Sequence, residues 1–113
     1  MSVFINLILC AMENSEVKRV SSAELQMLYA TGRRGFHNVD LSSANLSCTN
    51  LSGIDLSRAR LRHANLRWAD LSLSNLCWAD LRGADLSWAN IEGANLSFAN
   101  LKGTKMPDGK IHQ

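Results

Sequence analysis

Paired cysteines are missing: the 113-residue chain has three, Cys10, Cys48 and Cys77, an odd number without a CxxC pair. That argues against a disulfide framework and a zinc knuckle, and it suits a reducing, cytoplasmic compartment. Charge of one sign is lacking too. The formal net charge is +2, with no basic tail or arm, so nucleic acid is not an expected partner. The length allows a single core and no second one.

A long hydrophobic run is also absent. The apolar stretch 3–12 (VFINLILCAM) is too short to span a bilayer and has no positive charges before it of the kind that open a secretory signal. LILC, ending at Cys10, resembles a bacterial lipoprotein cleavage site, but Leu9 stands where a small residue is wanted. Membrane association through this apolar segment is therefore the alternative to a cytoplasmic location. Met12 opens MENSEVKR, which reads as an ordinary soluble start. Residues 1–20 form a leading segment, a candidate for disorder.

What the sequence has in abundance is a period of five. Phe36, Leu41, Leu46, Leu51, Leu56, Leu61, Leu66, Leu71, Leu76, Leu81, Leu86, Ile91, Leu96, Leu101 and Met106 recur without a slip. Two residues before each from Leu41 onward stands a small or modest one, as at Ala44, Ala59, Ala64, Ser74 and Ala84, and the position between the two is mostly Asn or Asp, giving A-(D/N)-L-S-x. Five residues advance an α-helix by about 500°, which would scatter the leucines over every face, and on a strand an odd step alternates sides. Each unit must therefore contain a turn. If every unit bends the chain alike, all the leucines face one axis and successive circuits stack at about 4.8 Å. The Asn and Asp side chains are expected to be structural, bonding to the nearby backbone and, in stacked Asn pairs, to one another.

Residues 36–106 resemble the pentapeptide-repeat family, whose motif is A-(D/N)-L-x-x. The resemblance implies an all-β solenoid, a right-handed quadrilateral β-helix with four units per circuit, so that residues twenty apart lie one above the other. Fifteen units then make a little under four circuits, about 18 Å tall. Residues 21–35 read as a capping α-helix and turn. Ser21 and Glu24 stand at capping-box spacing, Gly32 is placed to end the helix, and Leu25, Leu28 and Tyr29 are available to cover the first circuit. Residues 107–113 begin with the turn Pro107-Asp108-Gly109 and continue as a short extended cap.

With the core taken by two residues of each unit, function falls to the outside. The fifth residue carries Trp68, Trp78, Trp88 and Phe98, alternating with smaller residues. Four-sided geometry sets Trp68 below Trp88 on one side and Trp78 below Phe98 on the opposite one. Such columns either brace the coil, at about 0.5–1.5 kcal/mol per stacked pair, or dock a partner. Arg62, Arg82 and Lys102 form a second column beside a ladder of Asp40, Arg60 and Asp80, read as a solvated face or as a site for an anionic partner.

Chemistry of catalysis is not visible. His37, His63 and His112 fall in different circuits or caps, Cys48 and Cys77 on different sides as exposed thiols, and the glycines at 83, 93 and 103 are too regularly spaced to form a phosphate loop. The expectation is a non-catalytic scaffold or protein-interaction module with no cofactor, no metal and an unidentified protein partner. Its candidate partner-binding residues are Trp68, Trp78, Trp88, Phe98, Arg62, Arg82 and Lys102. The alternatives are a DNA-mimicking gyrase inhibitor, for which this chain is short and mildly basic, and a self-assembling dimer element.

Overall fold

The computed structural model describes residues 17–113. The expectations for residues 1–16 lie outside the described residues. Regular secondary structure is sparse: strand β1 (Lys18–Arg19), helix α1 (Ser22–Ala30) and strand β2 (Val39–Asp40). The rest of the repeat region is a ladder of single-residue parallel bridges between positions twenty apart, including Asn45 with Asn65, Asn65 with Asp85, and Asp85 with Lys105. Each extended stretch is cut to one bridged residue because every unit must also turn.

The bridges are closed by backbone hydrogen bonds. Leu41 N–H donates to the Arg60 carbonyl (2.8 Å), and Arg60 N–H donates to the Val39 carbonyl (2.8 Å). The chain thus returns above itself every four units. Inside, the leucines from Leu41 to Leu86 are at most 1% exposed, and Ala59, Ala64, Ala69, Ala79 and Ala84 fill the column beside them. Each fully buried leucine contributes about 1.5–3 kcal/mol relative to exposure.

The turns share one device. In the unit at Leu61, Ala64 N–H donates to the Leu61 carbonyl (3.1 Å) and His63, the second central residue, has φ of 59°. That is the requirement of a type II turn. Every fifth position from Asn38 to Gly103 is in this left-handed region, with φ from 57° at Cys48 to 74° at Gly103. The polar residue before each leucine completes the turn: the Asn65 Oδ1 accepts from Arg67 N–H (3.1 Å), and Asp70 Oδ1 accepts from Ser72 N–H (3.0 Å). This is the backbone role expected of the Asn and Asp positions. Among the described residues the Asn oxygens bond within their own unit, as at Asn45, whose Oδ1 accepts from Ser47 N–H (3.2 Å) and from the Ser47 hydroxyl (2.7 Å).

Helix α1 lies over the start of the ladder. Ser21 Oγ accepts from Glu24 N–H (3.1 Å) at its N-cap. Leu25 is fully buried, Leu28 and Tyr29 pack against the core, and the Tyr29 hydroxyl donates to the Ser52 carbonyl (2.6 Å). Lys18 and Arg19, in the segment read from sequence as leading, pair in parallel with Val39 and Asp40, with Val20 buried beside them. At the other end a hairpin folds back. Lys105 pairs with Ile111 in antiparallel fashion, and Met106 N–H donates to the Lys110 carbonyl (2.8 Å). It borders the last circuit without covering it: Ile91, Leu96, Leu101 and Met106 are only half-buried and Ile111 is 51% exposed.

Candidate interaction surface

The fifth positions form four columns of residues twenty apart. Trp68 and Trp88 stack with ring centroids 5.2 Å apart and planes 9° from parallel. Trp78 and Phe98 stack at 4.7 Å and 14°. All four rings remain largely in solvent, with exposures of 57% (Trp68), 53% (Trp78), 64% (Trp88) and 73% (Phe98). The two stacks are ten residues out of phase, half of the twenty-residue repeat that the bridges define. Reading the fifth positions for aromatic residues alone missed Arg58, whose guanidinium lies 5.6 Å from the Trp78 ring centroid and extends that column downward. The twenty-residue spacing of Arg58 and Trp78 was the available signal.

In the other two columns two glycines, Gly83 and Gly93, are covered by the side chain one circuit below. The imidazole of His63 lies so close to Gly83 that a Cβ there would sit 2.6 Å from Nδ1, and Leu73 does the same to Gly93 at 2.7 Å. Leu73 itself is 72% exposed.

Arg62, Arg82 and Lys102 stand one above another, since His63 N–H donates to the Arg82 carbonyl (3.0 Å) and Gly83 N–H donates to the Lys102 carbonyl (3.2 Å). They are not equivalent. Arg82 is gripped by its own neighbour, Nε to Asp80 Oδ1 at 2.8 Å and Nη2 to Asp80 Oδ2 at 2.7 Å. Among the described residues, Arg62 and Lys102 make no ion pair. The Arg82 hydrogen bond is the main influence holding the Asp80 carboxyl below its ordinary range, against a counteracting desolvation. Below it the ladder continues as Arg60, Asp40 and Arg19, with Arg19 Nη1 3.8 Å from Asp40 Oδ2.

Cys48 is exposed as expected, whereas Cys77 is half-buried, because its position follows Leu76 on a side wall and not at a corner tip. Among the described residues, no group of His, Cys, Asp and Glu is gathered to hold a metal, and no helix is long and apolar enough to cross a membrane.

A chain that turns every five residues, buries one leucine per turn and carries its chemistry in outward columns is a repeat protein. A family model described as pentapeptide repeats (8 copies) matches residues 36–72 and 69–106. The chain belongs to the pentapeptide-repeat family. Among solved structures it is similar to a pentapeptide repeat protein from the thylakoid lumen of Arabidopsis thaliana, at 34% identity over 70% of this chain and 52% of that one, TM-score 0.60. It is also similar to the pentapeptide repeat protein Rfr23 of the cyanobacterium Cyanothece 51142, at 32% identity over 70% of this chain and 64% of that one, TM-score 0.54. The chain thus spans about half of the first protein and just under two thirds of the second. Comparison with curated proteins finds no match.

Proposed function

We propose that this chain is a non-catalytic interaction module whose stacked aromatic corners dock a protein partner, carried on the right-handed quadrilateral β-helix of its family. The observation that supports it is the state of the aromatic residues. Each sits at a left-handed backbone position, with φ of 62° (Trp68), 63° (Trp78), 62° (Trp88) and 61° (Phe98). For a residue with a side chain that conformation costs about 1–2 kcal/mol, hence about 2–4 kcal/mol for a pair. Stacking returns about 0.5–1.5 kcal/mol per pair beyond the area it buries. The stack alone is therefore smaller than the strain, and glycine occupies the equivalent place at Gly53, Gly83, Gly93 and Gly103. Half-exposed tryptophans on a rigid frame are what a binding hot spot needs, because little is left to order on association.

The odd cysteine count supports a reducing, cytoplasmic setting. The gyrase-inhibitor alternative draws no support from the surface, since the Arg62–Lys102 column is opposite in sign to the face of a DNA mimic.

Affinity capture from the native cell with wild type, Trp68→Ser/Trp88→Ser and Trp78→Ser/Phe98→Ser tests the reading, with thermal melts to verify folding. Loss of specific proteins from at least one variant is the expected result. Identical recovery by all three refutes it.

The half-buried Ile91, Leu96 and Leu101 at the open last circuit support a second reading, end-to-end pairing of two copies. Sedimentation over a concentration series would show a monomer–dimer equilibrium; a fixed monomer mass would contradict it.

A further inference from the structure

The interaction reading leaves open which aromatic corner is used and what it meets, and the charges answer both. One side of the coil runs from the Trp78/Phe98 corner to the Arg62/Lys102 column. Its outward residues form rows stacked one above another: Arg58, Arg60 and Arg62, then Trp78, Asp80 and Arg82, then Phe98, Asn100 and Lys102. Below them stand Asn38, Asp40 and Ser42. This side holds five cations against two carboxylates, Asp40 and Asp80, an excess larger than the +2 of the whole chain. The side that starts from the other aromatic corner differs. There Trp68 and Trp88 are followed by Asp70, Ser72, Asn90 and Glu92, with no cation. The wall that follows one aromatic corner is therefore cationic and the wall that follows the other is acidic, while Arg67, on the wall before Trp68, is paired with Asp85 at 3.4 Å.

Two of the cations are already committed. Arg82 is neutralised by Asp80, and the Arg58 guanidinium lies against the Trp78 ring. Arg62 and Lys102, both exposed and making no ion pair among the described residues, bracket the Asp80–Arg82 pair from below and above.

We propose that this side, bounded by Trp78 and Phe98 on one edge and by Arg62 and Lys102 on the other, is the docking surface for an acidic segment of a partner protein. The proposal rests on the interaction-module reading and specifies its partner's chemistry. Charge complementarity steers an acidic segment here and away from the Trp68/Trp88 side. Single-stranded nucleic acid fits less well, because it needs successive free ring faces for successive bases. Trp78 has Arg58 on one face and Phe98 on the other, at 5.6 and 4.7 Å, and so offers none. Its exposed edge suits a side chain, not a base.

The test is fluorescence anisotropy of a labelled glutamate–tyrosine copolymer titrated with the full chain at low and at physiological salt, with oligo(dT) as a second probe. Variants Arg62→Gln/Lys102→Gln and Lys105→Gln/Lys110→Gln remove the same charge from this side and from elsewhere. The expected result is saturable copolymer binding that weakens with salt, falls about tenfold or more in the first variant and changes by less than about twofold in the second. Absence of binding, equal losses in both variants, or tighter binding of oligo(dT) overturns the assignment. If Trp78→Ser/Phe98→Ser loses captured proteins while the copolymer is indifferent to Arg62 and Lys102, the interaction module stands and the acidic partner falls. If no aromatic variant alters capture, the module reading itself fails.

Discussion

Replacing Gly83 by alanine should cost about twice as much stability as the same change at Gly53, although the two backbones are almost identical, with φ of 70° and 71°. Both variants carry the strain of a side chain in the left-handed region, for alanine's single methyl at the lower end of the range, about 1 kcal/mol. At Gly53 the new methyl meets nothing within 4 Å. At Gly83 it would lie 2.6 Å from His63 Nδ1 and 2.7 Å from Cε1, so the imidazole must leave its position. A side chain pushed off its rotamer adds about 0.5–1.5 kcal/mol. The expected losses are therefore about 1 kcal/mol for Gly53→Ala and about 2 kcal/mol for Gly83→Ala. Urea unfolding reports both, provided the slope with denaturant is unchanged. His63→Ala in the same chain removes the obstacle, so the second substitution should then match the first. Equal losses at Gly53 and Gly83 with His63 in place would refute the vertical placement of residue 63 against residue 83.

The remaining expectations use the same assay. Ser74→Ala should stabilise the chain by about 1 kcal/mol, because the Ser74 hydroxyl is buried without a hydrogen-bond partner in a column made mostly of apolar side chains; a loss of stability would show an unseen partner. Trp88→Gly should change stability by less than about 1.5 kcal/mol, relief of backbone strain offsetting the lost stack; a much larger loss would make the aromatic column a brace. The acid limb follows from Asp40 and Asp70, both lowered chiefly by the hydroxyls of Ser42 and Ser72, from Asp80, lowered chiefly by Arg82, and from Asp85, where desolvation is the largest influence and works upward but the Ser87 hydroxyl and amide together with Arg67 and Lys105 outweigh it. Carboxyls depressed on folding contribute stability that is complete above their unfolded value of 3.8 and is lost as pH falls through the folded values. Unfolding midpoints should therefore drop as pH falls below about 4, less steeply in Ser72→Ala, and a pH-independent midpoint would contradict the role of these turns.

Much of this was legible because the repeat has no slips. Once one leucine is placed, every fifth residue is placed, and the pairing of Trp68 with Trp88 and of Trp78 with Phe98 follows from arithmetic. Ser21 and Glu24 announced the helix cap for an equally local reason, a hydroxyl three residues from an unpaired amide. What the residues concealed was conformational. A left-handed backbone is advertised by Gly53 or Gly83, yet tryptophan, leucine and histidine adopt it at the same place in the unit, and nothing in Trp68 says so. The separate fates of Arg62 and Arg82 were hidden too: Asp80 sits two residues before Arg82 and holds it, while Arg60 stands in the corresponding place before Arg62. The pairing of Lys18–Arg19 with Val39–Asp40 escaped because it lies outside the repeat and follows no period.

Trapping a thiol pair reads the central geometry most directly. In a chain with Cys10 and Cys77 changed to serine, Trp68→Cys sets a second thiol one circuit above Cys48, with Cα atoms about 4.8 Å apart, inside the range a disulfide spans. Mild oxidation should join Cys48 to the thiol introduced at position 68, detected by peptide mass spectrometry, whereas Leu73→Cys, one corner further on, should leave Cys48 free. Crosslinking of Cys48 in the Leu73→Cys chain but not in the Trp68→Cys chain would show that residues twenty apart are not stacked.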